Sequence, residues 1–321
     1  MALGPGTSRR CGLSESPVAA GYARKQKTVT TTVLRTGEFP KRSSPLTGEE
    51  CLRAAGPDGL FRGGDPQFMT SLARGLGVLR AAASFKGPPT IADLSRATGL
   101  NRAVVRRCLY TLRELGYISS DGRRYFLQPG ALNLGHALGY AYTSTAPLPN
   151  AARPLLEELS AELGEAASVA VLDGGAAVLV ARAVAKRFAS AGLRVGSRLA
   201  IHCSALGRVL LASLPEEQAG LELAKAVLVP YTRFTIVSRS RLAQVLAEVR
   251  SDGCALNDQE LEIGLRSIAV PVRDPTGRVV AAMSVGAQAS RVSRRQLIED
   301  YLPFLKSASV RLGRQLTPEA L

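Results

Sequence analysis

The sequence predicts an α+β chain of two folded parts joined by a helix, and three observations carry that expectation. Three helical patterns in succession, between Thr70 and Leu115, are followed by short β-prone runs around Asp121-Gly122. Farther along, paired apolar runs flank turn signals at Asp173-Gly174-Gly175 and at Asp274-Pro275-Thr276-Gly277. Helical patterns enclose those strands at both sequence ends, which suits an antiparallel sheet with helices packed on its faces. A chain of 321 residues with 46% hydrophobic content is long enough for two domains and a tail.

Residues 1–65 are rich in Gly, Pro, Ser, Thr and Arg without a sustained apolar period, and read as a disordered tail. From Thr70, Leu72, Leu76, Leu79 and Ala83 recur at helical spacing until Lys86-Gly87-Pro88-Pro89 stops the pattern. Thr90 with Asp93 forms an acidic variant of the capping box and opens a short helix that runs to Ala97. Thr98-Gly99-Leu100 is a tight turn of the kind that joins the two helices of a helix-turn-helix. A third helix over 101–115 ends at Gly116, and the hairpin over 117–127 supplies a wing. The first domain is therefore placed at 66–130.

A helix over 131–145, punctuated by Pro147 and Pro149, forms a linker at 131–147. The second domain, 148–316, holds a helix over 150–163 and a hairpin of 169–172 with 177–181. Helices over 204–213 and 239–252 follow, then strands over 268–272 and 279–285 and a closing helix over 293–315. Residues 317–321 are a short C-terminal tail.

The formal charge is +15, and it is unevenly spread: 66–130 carries ten basic and three acidic side chains, against twenty-one and seventeen in 131–321. Such concentration is the electrostatic footprint of a small DNA-binding module. On a helical wheel, Val104, Val105, Cys108, Leu112 and Leu115 fall within an arc of about 100° that packs on the first two helices. Arg102, Arg106, Arg107, Tyr110 and Arg113 fall opposite. Guanidinium groups suit both phosphates and guanine edges, and the N-terminal part of a recognition helix meets the bases. Asn101, Arg102, Arg106 and Arg107 are accordingly assigned to base or near-base contact, and Arg113 to a structural or phosphate-facing role. Arg123 and Arg124, at the tip of the wing, are placed on the backbone or the adjacent minor groove.

Asp173 and Arg182 interrupt the longest apolar stretch, so no window has the length of a membrane span. Arg9 and Arg10 lead into polar residues and not into an apolar segment, which gives the expectation of a cytoplasmic chain without a signal peptide. Five scattered cysteines without a CxxC pair and two histidines without HExxH predict neither a disulfide framework nor a metal site, and no cofactor is expected. There is no G-x-S-x-G elbow and no Walker A sequence, and Gly75-Leu76-Gly77 lacks the third glycine of a dinucleotide fingerprint. An enzyme is thus the remote alternative. A ligand-independent architectural DNA binder is the second one, opposed by the large C-terminal domain of modest charge.

Four segments carry a family likeness: Ser71-Leu-Ala-Arg-Gly-Leu76, Gly116-Tyr117, His202-Cys-Ser-Ala-Leu-Gly-Arg208, and the run from Asn257 to Pro271. They resemble the IclR family of transcription regulators, in the same order, from about Phe68 to Leu316. The start at Phe68 and Val229-Pro-Tyr-Thr232 are most similar to the subgroup that controls aromatic-acid breakdown, the protocatechuate and 4-hydroxybenzoate regulators of the β-ketoadipate pathway. The resemblance implies a ligand-responsive regulator that binds double-stranded operator DNA as a homodimer or dimer of dimers, with RNA polymerase as a further partner. It implies a GAF-like effector domain that takes a small aromatic or keto acid. Its cavity would be lined by Ser204, Ala205, Asn257, Glu260, Ser267 and Ser284. Ser204 is also a good N-cap, and a helix N-terminus offers free N–H groups to an anion. Arg187 and Arg194 are the candidates to neutralise a carboxylate. Ala200 departs from the subgroup, which often has Pro there.

Overall fold

A computed structural model describes residues 66–185 and 192–316. The tails expected at 1–65 and 317–321, and Arg187, lie outside the described residues. The described chain begins with α1 (Thr70–Ser84), α2 (Ile91–Thr98) and α3 (Arg102–Glu114). A two-stranded antiparallel wing of β1 (Ile118–Ser120) and β2 (Tyr125–Leu127) follows.

The local chemistry sets the helix boundaries. Thr90 caps α2 reciprocally with Asp93, and Gly99 adopts φ 69°, a left-handed conformation that a side chain would resist. The side chain of Asn101 accepts from the Val104 N–H and opens α3. The Asp121 carboxylate accepts the N–H groups of Arg123 and Arg124 at 2.9 and 2.7 Å and so shapes the wing tip. Tyr125 N–H donates to Pro89 at 3.0 Å, which ties the wing to the start of α2.

The small core of this unit joins Val78, Ala81 and Ala82 to Leu94, Leu100, Val105, Leu109, Leu112 and Ile118. The core-facing row of α1 differs from the apolar row that carries its period, and the core arc read for α3 needs correction at Leu115. In α1, Leu72 is 56% and Leu76 49% exposed, whereas Leu79 of the same row packs partly buried against the core. At about 100° per residue, the buried Val78–Ala81–Ala82 face lies on the far side of the helix. Small side chains occupy it because α2 and α3 both pack there. In α3 the core row is Val105, Leu109 and Leu112, whereas Leu115, the C-cap, is 62% exposed. Leu109 completes the row at helical spacing, and Leu115 has left the helix.

Next, α4 (Pro129–Thr145) contains no charged residue and buries none of its side chains. It leads into α5 (Pro147–Leu163), which starts at a proline because the first helical position needs no N–H donor. Six antiparallel strands then form one sheet: β3 (Ala166–Asp173), β4 (Ala176–Ala183), β5 (Arg198–Ala200), β6 (Ala255–Asp258), β7 (Leu265–Arg273) and β8 (Val279–Gln288). Their spatial order is β5-β4-β3-β8-β7-β6.

Alternate residues face opposite layers. Val169, Val270 and Met283 pack against Leu155, Leu156, Leu305 and Leu312. Ala170, Ala269 and Ala282 pack against the other layer, α6 (Ala205–Ala212) and α8 (Arg239–Asp252). Between these helices lies α7 (Glu216–Lys225). The closing helix is not uniform. A short α9 (Arg294–Gln296) passes into a π-helical stretch, Leu297–Tyr301, and then α10 (Leu302–Arg314). Pro303 cannot donate to the preceding turn, and the wider stretch accommodates that missing bond. No described helix is long and apolar enough to cross a membrane.

Candidate functional site

On α3 the side chains of Arg102, Arg106 and Arg107 are exposed, and no carboxylate among the described residues pairs with them. The same holds for Arg123 and Arg124 on the wing. Arg113 differs, since it bonds Glu114 at 3.0 Å and lies 5.2 Å from the ring centre of Tyr110. Asn101 spends its carbonyl oxygen on the cap and keeps its amide donors. The helix therefore presents a row of uncompensated guanidinium groups from its first turns, with the wing arginines on a second element. That arrangement is suited to a polyanion.

The second site lies between the sheet and α6. A cavity of about 60 Å³ is lined by Ser168, Arg182, Ser204, Ala205, Asn257, Glu262, Ser267 and Ser284 as its main polar and small groups. Strand register gathers them. Arg182 on β4 faces Ser168 on β3, Ser168 faces Ser284 on β8, and Asn257 on β6 faces Ser267 on β7. A polar row thus crosses an otherwise apolar sheet face. Leu179, Leu199, Leu206, Leu261 and Leu265 supply the apolar walls.

Arg182 holds the Ser168 hydroxyl at 2.9 Å, and burial pulls its guanidinium below the ordinary value. A cation taken partly out of water gains most from an anionic partner. The N-terminus of α6 points to the same space through Ala205 and Leu206. Its first N–H groups have no partner inside the helix and attract negative charge. Ser204 itself is committed: its Oγ donates to Ala200 at 2.7 Å and accepts from Gly207 at 3.1 Å. A Cβ on Gly207 would lie 2.4 Å from the Ile201 Cα, so only glycine lets this helix end seat so closely.

Of the residues expected at the cavity, Ser204, Ala205, Asn257, Ser267 and Ser284 line it. Glu260 does not: its carboxylate is held by Arg208 at 2.7 and 2.6 Å and accepts from the Ile236 N–H. This buried pair anchors α6 to the β6–β7 loop. Arg194 is exposed and not a lining residue. Arg182 lines the cavity where Arg194 was expected, and its signal was visible as a lone charge inside an apolar strand. Ser168, opposite it, repeats the signal on the neighbouring strand. Asn257 donates its amide to the Cys203 carbonyl, which fixes its orientation.

His202 and Ser204 are two residues apart but form no nucleophile–base pair. His202 Nε2 lies 3.1 Å from the Val229 carbonyl, and burial lowers the tendency of the ring to charge.

Comparison with known proteins gives one answer for both parts. Residues 71–122 match the IclR helix-turn-helix domain, and residues 140–314 match the bacterial transcriptional regulator IclR C-terminal domain. The chain is 45% identical over 254 residues to the Pca regulon regulatory protein of Pseudomonas putida, covering 79% of this chain and 86% of the relative. It is 32% identical over 247 residues to the p-hydroxybenzoate hydroxylase transcriptional activator of Acinetobacter baylyi, covering 75% and 90%.

Among solved structures, a transcriptional regulator from Rhodococcus sp. RHA1 is 40% identical with a TM-score of 0.61, over 78% of this chain and 98% of that one. The inducer-binding domain of the PobR transcription factor from Acinetobacter, a double mutant in complex with 3-hydroxybenzoic acid, is 31% identical with a TM-score of 0.50. That likeness covers 52% of this chain and 98% of the domain.

Proposed function

Since the chain belongs to the IclR family of bacterial transcriptional regulators, we propose that it controls genes of aromatic-acid breakdown by reading a small carboxylic acid. Operator DNA is bound by the α3 face, with Asn101, Arg102, Arg106 and Arg107 at or near the bases. Arg123 and Arg124 hold the flanking backbone. The protein works in the cytoplasm and is not an enzyme.

The observation that carries the sensing half is the cavity under α6. It combines one desolvated guanidinium, the open end of a helix and a row of hydroxyls with leucine walls. Those features complement a carboxylate on a small apolar body. At about 60 Å³ the cavity is smaller than the roughly 150 Å³ of an engineered cavity that binds benzene. An aromatic acid must therefore push its walls outward, and that displacement favours one arrangement of the protein over another.

A route to the DNA-binding part is supported by Arg182, which lines this cavity and also a cleft facing Gly135, His136, Gly139 and Tyr140 of α4. Movement at Arg182 alters the seat of α4 and so the spacing of two recognition helices. A homodimer is supported by the exposed apolar residues Met69, just before α1, Leu72 and Leu76 on α1, and Leu132, Leu138, Tyr140 and Tyr142 on α4. Gel-shift titration of candidate operators, with and without protocatechuate, 4-hydroxybenzoate and β-ketoadipate, tests the reading. At least one acid shifts operator affinity or footprint. Identical binding with every acid would refute the sensing role.

A further inference from the structure

Glu262 lines the same cavity from the β6–β7 loop, between Leu261 and Leu265, and the reading above leaves it unused. Its neighbours in sequence are both committed, Asp258 to Arg266 at 2.8 Å and Glu260 to Arg208. Among the described residues nothing bonds or pairs with the Glu262 side chain. Burial pushes its carboxyl up. Arg182 lies on β4 and Glu262 in the loop that joins β6 to β7, with β3 and β8 between them in the sheet, so they occupy separate parts of the cavity wall.

The loop itself is well held. Gln259 N–H donates to Leu265 at 2.8 Å, and Gly264 N–H donates to the Gln259 side chain at 3.2 Å. The Thr232 and Thr235 hydroxyls donate to the carbonyls of Gln259 and Glu260 at 2.7 and 2.6 Å. Glu262 is thus a positioned acid and not a mobile surface group. A half-buried carboxylate without a donor is costly, and a ligand that brings a donor to it gains affinity. A second carboxylate brought to the same place meets like charge. Arg182 is the one cation among the described residues that line the cavity, and it is left to the first carboxylate.

Building on the small-acid reading, we propose that Glu262 determines which acid is accepted. It takes a hydrogen bond from a hydroxyl at the end of the effector remote from its carboxylate, and it turns away dicarboxylates, so of the three acids named above β-ketoadipate is excluded and the two hydroxybenzoates are favoured.

Isothermal titration of the full chain with benzoate, 4-hydroxybenzoate, terephthalate and adipate tests this, with Glu262→Gln as the variant and thermal melting as its fold control. The wild type binds 4-hydroxybenzoate about ten- to a hundredfold more tightly than benzoate, the scale of one hydrogen bond to a charged group. Terephthalate and adipate bind more weakly than benzoate. Glu262→Gln narrows the preference for the hydroxyl and strengthens terephthalate binding. The wild-type series needs no variant, so a misfolded Glu262→Gln does not rescue the proposal. Equal binding of benzoate and 4-hydroxybenzoate, tighter binding of either dicarboxylate, or an unchanged pattern in the variant overturns the role of Glu262. If those acids still bind and Arg182→Gln weakens them, the small-acid reading survives. If no acid binds the wild type, both readings fall.

Discussion

Helices α3 and α6 begin in the same way. Each opens on a polar residue whose side chain accepts a backbone N–H of its first turn, Asn101 from Val104 and Ser204 from Gly207. Beyond that point they diverge. α3 buries Val105, Leu109 and Leu112 and leaves its arginines in solvent. α6 buries all eight of its residues, Arg208 included. The first helix offers a face of side chains, and a duplex can lie along it. The second has no free face and offers only its end, where backbone N–H groups meet a cavity. In the proposed function, recognition of an extended polyanion and of one small anion would use the two different resources of a helix, its flank and its terminus.

The comparison can be broken most severely at the buried pair that seats α6. Glu260→Ala leaves the Arg208 guanidinium buried without its partner, and we expect a loss of about 3–5 kcal/mol in stability by urea denaturation. A change below about 1 kcal/mol would mean that α6 is held by packing alone. The corresponding cut in α3 acts on binding. Arg106→Ala weakens operator binding by roughly 1–3 kcal/mol and relaxes base preference. Because Arg106 is solvated and unpaired, its stability should stay within about 0.5 kcal/mol. Equal affinity of this variant and the parent for operator over random DNA would remove Arg106 from the interface.

The smallest effect compares the two caps. Asn101→Ala costs about 1 kcal/mol of stability, the ordinary value of an exposed cap. Ser204→Ala costs up to about 2 kcal/mol, since the buried hydroxyl makes two bonds. Equal losses in the two thermal melts would show that enclosure adds nothing to the cap.

Most of the fold was legible because turns announce themselves. Asp121-Gly122, Gly174-Gly175 and Asp274 to Gly277 each fix a hairpin, and Thr90 and Gly99 bracket α2. The elements that went unread are α7 and the short strands β5 and β6, three and four residues long at the sheet edges. Their segments are too short for a period to show, or too mixed in composition.

The polar face of α3 was readable for the same reason that its core was: side-chain periodicity encodes both. The cavity was harder. Arg182 looks in sequence like a break in an apolar run, and only strand pairing sets it beside Ser168. Glu260 looks like a pocket group because its partner Arg208 lies 52 residues away. Nothing local distinguishes it from Glu262, which does line the cavity. Long-range pairing decides which acid is spent and which is free.

The central claim is that the flank of α3 and the end of α6 are energetically linked. It is tested most directly by measuring the dissociation constant of 4-hydroxybenzoate for the free protein and for the protein saturated with an operator selected from a random duplex pool. Linkage requires the ratio of the two constants to equal the ratio by which the acid changes operator affinity. A ratio that departs from one, by the same factor in both experiments, is the predicted result. Tight binding of acid and of operator with a ratio of one would contradict the account, leaving two sites on one chain with no regulation between them.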